Sequence, residues 1–139
     1  MCTFILKTYN QKDEIRNPHF FILCKGNNSG KPLLSPCPNC FSIQFQSEAD
    51  KEQVYWLIFC LWQSKTFYPY LRGSVIPFII LRDMKNCIQS ALDKSDRNPE
   101  QFQKMVATFQ SMNQFENQLK QNLQAIQKAK KLILFSFIR

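Results

Sequence analysis

The feature that most constrains this chain lies toward its C-terminal end. From Asn98 to about Phe135 a seven-residue apolar repeat runs with no glycine and with no proline but Pro99. Met105, Met112, Leu119, Ile126 and Ile133 recur every seventh residue, and Phe102, Phe109 and Leu123 fill the companion position three residues before. Glu116 and Lys130 interrupt that companion row, and the positions between are mostly Gln, Asn and Lys. Such spacing gathers apolar side chains on one stripe of an α-helix and polar ones around the rest. The start is equally legible: Asn98 as cap, Pro99 at the first helical position and Gln101 three residues after the cap. At 1.5 Å per residue this helix would extend about 55 Å, longer than a small domain is wide. Part of it is therefore expected to project and to pack on another helix, with Phe102, Met105, Phe109, Met112, Leu119, Leu123, Ile126 and Ile133 forming the dimer seam.

The preceding residues, 1–97, read as an α/β domain and 98–139 as the helical stalk. Residues 3–9 are β-branched and aromatic, a strand; residues 10–18 are polar and read as a loop or a short turn of helix. Residues 19–25 form a second strand, buried on both faces by its continuous apolar run. Gly26 to Lys31 is a flexible polar loop before Pro32. Residues 41–46 alternate strictly and predict a strand with one wet face. Ser47-Glu48-Ala49-Asp50 opens a helix, with Ser47 or Asp50 as cap. Residues 54–62 are apolar on all sides, which implies a helix buried in the core. Residues 74–81 read as a strand whose Pro77 implies an edge or a bulge. A short helix over 83–92 and a polar break over 93–97 follow. The expected fold is α+β: a small mixed sheet with a buried helix, followed by the long C-terminal helix.

Composition narrows the partners. Within 139 residues, apolar side chains make up 45% and aromatics 14%, enough for a real core and against a disordered chain. No apolar run approaches the ~18 residues of a membrane-spanning helix, and the first residues lack the pattern of an export signal, so no membrane and a cytoplasmic setting are expected. In that setting Cys2, Cys24, Cys37, Cys40, Cys60 and Cys87 are free thiols. The net charge of +8 favours a polyanionic partner such as nucleic acid. The excess is divided evenly: twelve basic against eight acidic side chains over 1–97, six against two over 98–139.

Familiar catalytic patterns are missing or broken. Cys37-Pro38-Asn39-Cys40 has the gap of half a zinc site, but no second pair completes it, and a Pro-Asn turn accounts for the spacing; no metal and no cofactor are expected. Gly26-Asn27-Asn28-Ser29-Gly30-Lys31-Pro32 is one residue short of a phosphate-binding loop and has proline where the magnesium-ligating hydroxyl belongs. Its lysines and amides can still meet a phosphate backbone, which nominates Lys25, Asn27, Asn28 and Lys31. A single histidine, His19, leaves little for acid–base chemistry, and the carboxylates are scattered or cap a helix. Among the aromatics, Phe67 to Arg72 is the better exposed surface, because it joins aromatic rings to a cation; it adds Tyr70 and Arg72. A catalytic function is not expected.

Gly73-Ser74-Val75-Ile76-Pro77-Phe78-Ile79, then Pro99-Glu100-Gln101-Phe102-Gln103-Lys104-Met105-Val106 and a long helix ending in Lys130-Lys131-Leu132-Ile133-Leu134, is similar to one half of a type I restriction–modification specificity subunit. The likeness covers roughly residues 17–135. The chain also resembles small proteins carried on mobile elements of Bacteroidetes. The resemblance implies a target-recognition-like domain with a helical stalk. It implies duplex DNA as a partner, a homodimer formed through the stalk, and an association with restriction–modification subunits. Only Gly73, Ser74, Pro77 and Phe78 match the motif, as structural elements. An alternative use of the same parts is a regulatory interaction protein that pairs with such subunits without binding DNA.

Overall fold

β-Branched and aromatic runs separated by polar turns assemble into one sheet. The computed structural model describes residues 2–139. Among them β1 (Phe4–Thr8), β2 (His19–Leu23), β3 (Pro32–Leu33) and β4 (Cys40–Phe45) stand in the order β1-β4-β2-β3. The class is α+β, as expected, and every strand pairing is antiparallel rather than mixed. The central pair is β2 with β4, in a register that sets Phe20 opposite Ile43 and Ile22 opposite Phe41. That position overrides the alternation of residues 41–46: β4 is flanked on both sides, and all its residues are buried except the half-buried Gln44. β3 forms inside a segment that the sequence marks only as loop and turn, because Pro32 and Leu33 close the hairpin onto Ile22 and Phe21.

Three helices follow: α1 (Glu48–Gln63), α2 (Leu81–Arg97) and α3 (Pro99–Ile138), with a short 3₁₀ turn at Tyr68–Tyr70. Ser47 caps α1: its backbone is extended and its hydroxyl accepts the Asp50 N–H at 3.2 Å. α1 packs over β2, β3 and β4. Phe20 stacks on Phe45 with ring centroids 5.7 Å apart and meets Tyr55 edge-on at 5.2 Å. Burial is confined to one side of α1, where Val54, Leu57, Ile58 and Cys60 lie. Trp56, Phe59 and Trp62, three residues apart, touch edge-to-face along a half-buried side. A helix buried all round is thus corrected to a half-buried one, since a four-stranded sheet can cover only one side of it.

Two further expectations change. Residues 74–81 do not form a strand. Gly73 takes a left-handed φ of 95° and turns the chain back, so that Arg72 and Phe78 exchange both backbone hydrogen bonds, at 2.8 and 2.9 Å. The returning segment lies across the end of β2: Gly26 donates to the Pro77 carbonyl and Ile79 donates to the Cys24 carbonyl. Pairing is reduced to isolated bridges at Phe78. α2 in turn begins earlier than expected and continues through 93–97, because Met84, Ile88, Leu92 and Ser95 make one buried stripe. Ser95 is tolerated there because its hydroxyl donates to the Leu92 carbonyl at 2.9 Å.

The chain divides into two units, one through Phe102 and one from Gln103 to Arg139. The boundary lies a few residues beyond the expected 97/98 because Phe102, in the first turn of α3, is buried with the core of the first unit. Asn98 ends α2 and caps α3. Its side-chain oxygen accepts the Gln101 N–H at 3.2 Å and its amide donates to the Gln101 side chain at 2.9 Å. The second unit is one helical stretch, in which every residue from 114 onward is exposed.

Candidate functional site

Within the first unit the fold brings the two nominated loop segments onto one neighbour. Lys25 and Arg72 both bridge to Phe78, from opposite sides. The chain from Gly26 to Lys31 closes tightly: Gly30 donates to the Leu23 carbonyl at 2.7 Å, Lys31 to Asn28 at 3.0 Å, and the Ser29 hydroxyl to Gly26 at 2.6 Å. Gly30 is required twice over. Its φ is left-handed, and an added Cβ would overlap the ring of the buried Phe67. The loop expected to be flexible is therefore anchored by Ser29 and Gly30, both buried, while Lys25, Asn27 and Asn28 remain exposed. Anchoring of this kind presents cations and amides in a fixed arrangement, the property a phosphate-contacting surface needs.

The charges of this surface are partly engaged. Arg72 pairs with Asp83 at 3.3 Å, and the Lys31 ammonium lies 5.4 Å from the centre of the Trp62 ring. Tyr70 is exposed; its side chain hydrogen-bonds Cys87, which draws that thiol part-way back from the upward push of burial. Beyond Arg72 the turn displays Val75, 89% exposed, and Ile76, which strand pairing would have hidden. The sequence pattern gave no sign of this apolar tip, because β-branched residues next to a proline read as an edge strand.

Burial acts on several of the cysteines. Pro38-Asn39 bends the chain into β4, and the Cys40 thiol donates to the Cys37 carbonyl at 3.1 Å. Burial pushes Cys40 up to about 11, and Cys60 likewise. Cys24 also lies above the ordinary thiol range, again chiefly through burial. Protonated thiols are poor nucleophiles and poor metal ligands at neutral pH. No group of three or more His, Cys, Asp or Glu among the described residues is arranged to hold a metal ion. His19 serves structure: Nδ1 is 2.8 Å from the Asn17 carbonyl and the ring meets Phe21 edge-on. A hollow of about 330 Å³ beside β1 is lined by Thr3, Phe4, Ile5, Asn17, Gln44, Phe45 and Gln46, which bring amides and apolar rings but no titratable group.

In the second unit the nominated seam is laid open. Met105, Met112, Leu119, Leu123, Ile126 and Ile133 are all exposed. Phe109 is half-buried. Phe102 departs from the expectation: it belongs to the core of the first unit and is withdrawn from any pairing surface. Phe115, Leu134 and Phe137 are exposed as well and were missed as seam residues. Phe137 continues the companion row seven residues beyond Lys130, whereas Phe115 and Leu134 flank the two rows, at positions that a strict two-position reading of the heptad leaves out.

A family model described as "Family of unknown function (DUF6943)" matches residues 6–136. The chain belongs to the DUF6943 family. That match spans both units of this DUF6943 protein, the helix included. No curated protein and no solved structure matches the chain. No helix among the described residues is long and apolar enough to cross a membrane.

Proposed function

We propose that this DUF6943 protein is a non-catalytic binding module. It pairs as a homodimer through its C-terminal helix and offers the loop surface around Lys25 and Arg72 to duplex DNA. The observation that carries the reading is the exposed stripe from Met112 to Ile133, since contiguous apolar surface of this extent marks an association site in a water-soluble chain. The DNA half of the reading is supported by the charge of +8 and by the convergence of Lys25 and Arg72 on Phe78. A reducing, cytoplasmic setting suits six unbridged cysteines.

Light scattering of the full chain, alone and with duplex DNA, tests both halves. Twice the chain mass and a complex at ~50 mM salt that weakens sharply by ~200 mM are expected, because phosphate contacts release counterions. A single-chain mass overturns the pairing, and absence of a complex at the lower salt overturns the DNA contact. A dimer that ignores DNA points to the second reading, an interaction protein that joins restriction–modification or other subunits of a mobile element. That reading is favoured by one observation: Arg72 and Lys31 already have partners in Asp83 and Trp62.

A further inference from the structure

Two charged side chains lie inside the apolar stripe of α3. Glu116 and Lys130 occupy the same row as Phe109, Leu123 and Phe137, two heptads apart. Glu116 already meets Lys120, one turn along its own helix, at 3.0 Å. Charges inside a pairing seam discriminate among arrangements, because like charges in contact are penalised and unlike ones are matched.

A parallel copy in register sets Glu116 against Glu116 and Lys130 against Lys130. A parallel copy slid by two heptads matches Glu116 with Lys130 once, but that contact is head-to-tail and does not close. An antiparallel copy closes on a two-fold axis and satisfies both charges at once. Leu123 then faces Ile126 of the second copy, and reciprocally. Moving outward, Leu119 layers with Lys130, Glu116 with Ile133 and Met112 with Phe137 of the other helix. Glu116 and the second copy's Lys130 fall in adjacent layers, within reach of their side chains, and the contact occurs twice. The overlap covers about four heptads, the length a stable two-stranded pairing uses. It also coincides with the stretch in which residues 114–138 are exposed without exception.

We infer that α3 binds α3 of a second copy antiparallel, in the register that sets Leu123 against Ile126 and joins each Glu116 to Lys130 of the other chain. This rests on the pairing reading above and adds its direction and register. The test is the dimer dissociation constant of four full-length proteins by sedimentation equilibrium: wild type, Glu116→Lys, Lys130→Glu, and the double exchange. Each single change should weaken the dimer roughly tenfold, by creating two like-charged contacts, and the double exchange should restore it. Restoration also separates the contact from the lost Glu116–Lys120 pair, which the double exchange does not rebuild. A parallel dimer predicts single changes without effect, since each only exchanges one like-charged contact for another. A wild-type dimer with insensitive single variants, or with no recovery in the double exchange, overturns the antiparallel register. A monomeric wild type overturns the pairing itself.

Discussion

In the first unit Phe20, Ile22, Ile43 and Ile58 are shielded completely from water, whereas from Gln103 onward Leu119, Leu123 and Ile126 each expose more than half their surface. The two regions draw on the same residue types. They differ in what is available to cover them: the sheet and helices of the first unit pack as layers, while a lone helix has nothing of its own to fold against. Apolar content therefore does not identify a core. In the first unit an apolar side chain stabilises the monomer; in the helix, on the pairing proposed above, it would stabilise the dimer.

That contrast can be broken by substitution. The largest effect is expected at Phe20→Ala, which removes the ring packed on Phe45 and Tyr55 and should cost about 3–5 kcal/mol in denaturant unfolding. Retention of wild-type stability would mean that the layer between β2 and α1 is not the core. A smaller effect, about 1 kcal/mol, is expected at Asn98→Ala, where the cap of α3 is lost while the packing remains. Far-ultraviolet dichroism should show the loss as reduced helix content on heating. The smallest is Ile126→Gln, which should alter the unfolding free energy of the dilute monomer by less than about 0.5 kcal/mol. A cost of several kcal/mol at Ile126 in dilute solution would place it in a monomer core and erase the contrast.

How much of this was legible depends on the range of the interactions concerned. The start of α3 was readable in full because a cap is local: Asn98, Pro99 and Gln101 settle it among themselves. The cap of α1, narrowed to Ser47 or Asp50, and the strand character of Phe4–Thr8 and His19–Leu23 were readable for the same reason. Residues 74–81 were misread because their β-branched composition speaks for a strand, while the turn at Gly73 and the hydrogen bonds to Cys24 and Gly26 are set by distant chain. The wet face expected of β4 vanished because the alternation cannot say which strands will flank it. In the candidate loop surface, the lysines and amides were visible in sequence. The approach of Arg72 to Lys25 across Phe78 and the engagement of Arg72 by Asp83 were not.

The sequence by itself determined the α+β class, the long helix and the period of its apolar row, because propensity, capping and spacing act over a few residues. Only the tertiary structure decided that Phe102 leaves that row for the core, that the Gly26–Lys31 loop is pinned beneath Phe67, and that the row beyond residue 113 lies open to water. Burial is a property of what the rest of the chain places nearby, and a local pattern carries no record of it.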